Sequence, residues 1–283
     1  MKDPYEDDLG KLLNELDGPD LNEINNAIFK DGDLQGETNQ AKRLELSEKI
    51  KSSYRHSLNL IASEHEPEWR KIVIATIDKL GIKLNKDEID SLTILELEGK
   101  VIEKMIEKVL QENPGILNDV KSQMIEEISI KIKNEQILKQ SVEIIKSLRG
   151  NELTGILSQV FNLAAPYVVE AAMGSIPKML FDLIGYGPSQ KIILTILFRT
   201  FGFWAGIKGI LGIGLPGMLM TAAKLAGPIG LAIDGIIVIY KLGDTAWRKV
   251  IPTVMAIGFW RLKVEYERKQ KESQEQEKNL LNS

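Results

Sequence analysis

The sequence predicts an all-α protein in two parts. An acidic helical bundle covers residues 1–150, and an apolar, glycine-rich helical domain covers 151–262, followed by a charged tail over 263–283. Three observations predict this. Apolar residues recur at helical spacing along most of the chain, and strand-like alternation is scarce. The 283 residues are 43% hydrophobic and 27% charged, the composition of a folded chain. Charge is also segregated. Residues 191–283 hold 13 basic and 7 acidic residues, a net +6, which leaves 23 basic and 33 acidic residues before them, a net −10. A basic, apolar back half suits an anionic surface or the acidic front half itself; plain charge segregation in a soluble protein is the simpler alternative.

The front begins with a short acidic helical module over 1–40. Leu9, Leu12, Leu13 and Leu16 form one face of a first helix, which Asp17-Gly18-Pro19 stops. Pro19 opens a second, with Leu21, Ile24 and Ile28 inward, and residues 31–40 form a polar loop. A helical bundle over 41–150 follows. One helix runs from Leu44 to Ile61. Another opens at Pro67, carries Trp69, Ile72, Val73 and Ile77, and closes at Gly81. Thr93 and Glu96 match a capping box. The helix they open carries the row Leu97, Val101, Met105, Val109 and a second row, Ile94, Ile102, Ile106, broken only by Glu98. Asn113-Pro114-Gly115 ends it. Ile116 to Leu148 is again helical, with a break suggested where Ile128, Ile130 and Ile132 alternate. The charged residues of this block are expected on solvated faces.

From Asn151 the chain is far more apolar. Pro166, Gly174, Pro177 and Gly185-Tyr186-Gly187-Pro188 cut it into short helices. Ser189 is an N-cap candidate for the run over 192–243, whose only charges up to Tyr240 are Arg199, Lys208, Lys224 and Asp234. Gly212-Ile213-Gly214-Leu215-Pro216-Gly217 reads as the turn of a hairpin between apolar helices, and Asp244 as the cap of a last helix. The polar tail from Lys263 spaces Glu265/Lys269 and Glu267/Lys271 for i,i+4 pairs.

Catalytic and cofactor signatures are weak. No cysteine is present, which excludes disulfides, zinc thiolates and cysteine nucleophiles, and His56 and His65 alone leave little for a metal site or triad. Gly212-x-Gly214-x-x-Gly217 matches a dinucleotide fingerprint with Asp234 downstream, but no strand precedes it and Pro216 removes a backbone donor. Asp31-x-Asp33-x-Gln35-Gly36 begins like a calcium loop, yet its twelfth position is Lys42 where a Glu is required. His65-Glu66-Pro67 lacks the second His of a zinc-protease helix. The expectation is a non-enzyme with no cofactor, no metal, no small-molecule substrate and no nucleic-acid partner. The acidic start MKDPYEDDLG has no apolar core of a signal peptide, so the expected compartment is the cytoplasm.

The glycine-rich run carries the functional expectation. Each glycine weakens a helix by about 1 kcal/mol against alanine, and earns its place where two backbones approach closely. Gly202-x-x-x-Gly206 is such a motif, and Ala222, Ala226 and Gly230 form a small-residue row that continues to Asp234. Gly209, Gly212, Pro216 and Gly217 shape the hairpin. The uncharged stretches 209–223 and 225–233 fall short of the roughly 20 residues of a single span, so conditional rather than obligate membrane insertion is expected, with Lys208 and Lys224 snorkelling. In 245–263, Trp247, Arg248 and Lys249 bracket one end of an apolar piece; Trp260, Arg261 and Lys263 bracket the other, the pattern of an interfacial anchor. A helix kinked at Pro252 that packs on the hairpin accounts for the same residues.

Three stretches together resemble the YaaW-like family of uncharacterised bacterial proteins, some of which carry a label likening them to a ubiquinol–cytochrome c chaperone. They are the acidic front from Asp7-Asp8-Leu9 through Leu21 and Ile24, the segment Leu92-Thr93-Ile94-Leu95-Glu96-Leu97-Glu98, and Gly227-Pro228-Ile229-Gly230 through Ala246-Trp247-Arg248-Lys249-Val250-Ile251-Pro252. The chain departs from that pattern in being longer and more apolar between Ile156 and Ile213. The resemblance implies a helical bacterial cytoplasmic protein with inner-membrane association, and no functional residue transfers from it. The expected function is a membrane-associating helical protein whose front regulates or sequesters the apolar hairpin, its bolder form a membrane-perturbing or pore-forming effector acting under stress or attack. The alternative is a soluble adaptor or chaperone-like protein whose hairpin is core or a homo-oligomer contact.

Overall fold

The computed structural model describes residues 8–29, 33–55, 68–161 and 247–281, with single positions at 180, 184, 189, 192, 193 and 196. Its elements are α-helices and one 3-10 turn, with no strand among the described residues. The fold class is all-α.

Helix α1 (Asp8–Asn14) forms because its leucines fall on one face; Leu9, Leu12, Leu13 and the following Leu16 are all buried. Asp17 caps α2 (Gly18–Phe29), its side chain accepting from the Asp20 amide at 2.9 Å, and Leu21 and Ile24 point inward. The loop after α2 is stitched down by side chains. Asn22 accepts from the Leu34 amide at 3.1 Å, and Glu45 accepts from the amides of Gln35 (2.9 Å) and Gly36 (3.1 Å). A Cβ on Gly36 would lie 2.6 Å from the Lys42 nitrogen, so only glycine lets the loop lie this close. Helix α3 (Asn39–Arg55) then packs against α1 and α2, and its Arg43 donates to the Leu16 carbonyl at 2.8 Å.

Helix α4 (Trp69–Lys79) buries Trp69, Ile72, Val73 and Ile77. Gly81, at φ 71°, ends it: the Ile82 amide reaches the Ile77 carbonyl (3.1 Å) and the Gly81 amide the Asp78 carbonyl (3.0 Å), a Schellman closure. A short helix, α5 (Lys86–Ser91), follows, one that the apolar pattern does not predict. Asn85 and Glu88 form its capping box, and Arg70 of α4 donates to the Ile89 and Leu92 carbonyls at its end, both at 2.7 Å. The Thr93–Glu96 box opens α6 (Ile94–Glu112), as its spacing predicts.

Pro114 sits at the start of α7 (Pro114–Lys131), whose inward row is Ile116, Val120, Met124 and Ile128. The helix stops where the isoleucines alternate, and Asn134 caps α8 (Glu135–Ser147). Lys121 of α7 donates to the Lys146 carbonyl of α8 at 2.8 Å. Helix α9 (Gly150–Ser158) begins with Gly150 against Leu110, where a Cβ would sit 3.3 Å from the leucine Cβ. Last, α10 (Trp247–Leu281) runs 35 residues without a break, Pro252 included.

The chain gathers into two compact units. The first holds α1–α5, α6 as far as Val101, and α10; the second holds α6 from Ile102 together with α7–α9. Helix α3 covers both α1 and α2, and α10 packs on α2, α3 and α4 of the front. Composition follows neighbours in sequence; packing pairs faces from distant segments. Likewise the tail from Lys263 is the continuation of α10.

Candidate functional site

The row Ile94, Glu98, Ile102, Ile106 runs along one face of α6, and three of its side chains are fully buried, Glu98 among them. The expectation that charged residues of this block lie on solvated faces fails at Glu98. A carboxylate taken wholly out of water requires a compensating cation and donors. Arg261 of α10 supplies both: its Nε donates to Glu98 Oε2 at 2.8 Å and its terminal nitrogen donates to Oε1 at 3.2 Å, a two-pronged fork. The indole N–H of Trp69, the first residue of α4, donates to the same Oε1 at 2.6 Å. One carboxylate thus ties together α4, α6 and α10.

Aromatic packing surrounds this node. Tyr54 of α3 meets Trp69 edge-on, with ring centroids 5.9 Å apart at 72°. Burial pushes the Tyr54 hydroxyl well above its ordinary value; the Thr253 hydroxyl of α10 opposes the rise and the Glu98 charge reinforces it. Burial likewise raises Glu98 above the usual carboxylate range, against the charge and hydrogen bonds of Arg261 and the Trp69 N–H. The three donors described come from α4 and α10, so the carboxylate holds these helices in register with α6.

Helix α10 is held at further points. Val250 to Leu262 are buried without exception, on every face of the helix. At its start, Lys79 Nζ lies 5.6 Å from the Trp247 ring centroid. Near the middle, Lys263 Nζ lies 4.7 Å from the Trp260 ring centroid and 3.6 Å from Asp20 of α2. Burial raises Asp20, Lys263 opposes that rise, and Asp17 and Glu267 add to it. The Trp260 indole nitrogen is buried with no hydrogen-bond partner among the described residues.

Of the residues singled out in the sequence, Trp247 is half-buried, while Trp260 and Arg261 lie inside. Trp260 and Arg261 therefore do not form a surface anchor in this conformation: the ring is 0% exposed and the guanidinium is spent on Glu98. They belong to the packing of α10. Arg248 and Lys249 occupy its first turn, and their side chains lie outside the described residues. Gly202, Gly206, Gly209, Gly212, Pro216, Gly217, Ala222, Ala226 and Gly230 also lie outside them, as do Asp31, His56, His65 and Asp234. Among the described residues no cluster of three or more carboxylates, histidines or cysteines could hold a metal, and no helix is long and apolar enough to cross a membrane. Sequence reasoning missed Glu98, Trp69, Lys79 and Asp20. The signal for Glu98 was present, since it occupies an i+4 position in an otherwise isoleucine row.

Comparison with known protein families, curated proteins and solved structures gives no match.

Proposed function

We propose that this chain is a non-enzymatic, conditionally membrane-associating helical protein whose front helices hold the segment that leaves its glycine-rich run. The supporting observation is the capture of α10: the basic residues Arg261 and Lys263, at the end of its apolar stretch, are paired with Glu98 and Asp20 of the acidic front. The charge asymmetry of the sequence thereby acquires an intramolecular counterpart. A bacterial cytoplasmic setting with inner-membrane association, kinship with the YaaW-like family and membrane perturbation under stress belong to the same proposal.

Fractionation of the native full-length protein tests it. Recovery in the membrane pellet through carbonate and high-salt washes is the expected result under the condition that triggers association. Complete recovery in the soluble fraction under every condition, with no binding to liposomes, overturns it. An adaptor role is the second reading. Two exposed isoleucines favour it, Ile130 at 76% and Ile137 at 50%, on the helices either side of the α7–α8 turn. Under that reading the protein stays soluble and forms stable complexes that lysine at these two positions abolishes.

A further inference from the structure

We propose that the Glu98–Arg261 pair is a latch that masks a lipid-binding surface on α10, and that an anionic membrane competes with the front helices for that surface. The proposal rests on the membrane reading and names the contact that regulates it.

The groups at the two ends of the α10 apolar stretch are those that seat a helix at a headgroup layer, tryptophan beside lysine or arginine. In the fold each described one is occupied. Trp247 faces Lys79, Trp260 lies under Lys263, Lys263 pairs with Asp20, and Arg261 is forked on Glu98. The partners of the two cations are carboxylates, which present to them the same charge as an anionic headgroup. The Trp260 N–H has no acceptor among the described residues; at a bilayer interface, water and ester carbonyls would supply one.

Release is an exchange. The residues of Val250 to Leu262 that turn to the acyl chains leave one apolar environment and enter another, so part of the burial term cancels. What does not cancel is the set of polar partners. Among them, the Glu98 carboxylate of α6 is wholly removed from water and joins α10 to α4 as well. Its loss orphans the Arg261 guanidinium in the interior, which disfavours the docked position and leaves the cation available to a phosphate. The apolar piece is about 10 residues, or about 15 Å of helix, too short to span; it is suited to lying in the interface with both ends at headgroup level.

The test compares three full-length proteins: wild type, Glu98→Ala, and the double variant Glu98→Leu/Arg261→Met, in which apolar contact replaces the charges. Hydrogen exchange without lipid reports the latch. Co-sedimentation with vesicles of equal parts phosphatidylcholine and phosphatidylglycerol, against phosphatidylcholine alone, reports the surface. In Glu98→Ala, amide protection over 250–262 should fall by roughly a hundredfold or more, the scale on which orphaning one member of a buried pair acts, while α7 and α8 are unchanged. That variant should bind the anionic vesicles and not the neutral ones, and the double variant should recover protection and stay off both. Unchanged protection in Glu98→Ala overturns the latch even if the wild type associates with membranes. Loosening without vesicle binding overturns the lipid surface and counts against the membrane reading itself. Should Glu98→Ala lose protection in α7 and α8 too, Arg261→Lys decides: it keeps the charge and loses the fork, and unaltered exchange over 250–262 then overturns the latch.

Discussion

Replacing Arg261 by methionine keeps the length and most of the apolar contact of the side chain while removing its charge and donors. Glu98, 0% exposed, would retain only the Trp69 indole as a donor, having lost bonds at 2.8 and 3.2 Å. Removing one member of a buried pair costs about 3–5 kcal/mol, a large share of the 5–15 kcal/mol of roughly typical domain stability. The more exposed pair Lys263–Asp20, at 3.6 Å, sets the contrast, being worth about 0–1 kcal/mol. The cost at Glu98 should also depend on pH. Arg261 is the strongest influence opposing the burial that raises Glu98, so the variant raises it further. A folded-state value above the unfolded one means that the folded chain takes the proton more readily. The penalty is then fully present above the folded value and is relieved as pH falls toward the unfolded one, with a slope of at most about 1.4 kcal/mol per pH unit. Urea denaturation of wild type and variant at pH 8 and pH 5 measures both effects. A loss below about 1 kcal/mol at pH 8, or a loss that grows as pH falls, would refute the assignment of Glu98 as a buried, charge-compensated carboxylate.

Further outcomes follow from single positions. In the wild type, burial raises both Glu98 and Asp20, so these two groups favour folding more as pH falls from 7 toward 5; the melting temperature of the first unit should hold or rise over that range, and a decline tracing to either residue contradicts the sign. Gly81→Ala meets no neighbour within 4 Å but places a Cβ at φ 71°, so it should cost about 1–2 kcal/mol by thermal melt through backbone strain alone. Gly36→Ala drives a Cβ to 2.6 Å from the Lys42 nitrogen, and should cost roughly 1–3 kcal/mol with loss of the Glu45 hydrogen bonds from the loop, read as faster amide exchange at Gln35 and Gly36. Ile130→Lys alters an exposed side chain and should leave stability within about 0.5 kcal/mol, so a larger loss would mean that the side chain is covered in solution.

Local chemistry made much of the helical layout legible. The Thr93–Glu96 spacing, Pro114 at a helix start, Gly81 at a helix end and the isoleucine alternation at 128–132 each act within a turn or two of chain, where backbone geometry decides the outcome. Helix α5 escaped notice because six residues with no buried side chain have no apolar period to read; its place depends on Arg70 gripping two carbonyls from another helix.

The sequence by itself determined the all-α class, the apolar rows and the opposition of an acidic front to a basic back. It also placed an anomalous carboxylate at position 98 and an arginine at 261 within an apolar stretch. Only the tertiary structure joined them. Residues 163 positions apart carry no mutual signal in one chain, and the same tryptophan and arginine fit a lipid interface or a helical core equally well. What decided between core and surface for Trp260 and Arg261 was the partner: a desolvated Glu98, whose electrostatic need is met where α10 crosses α4 and α6 in the folded chain.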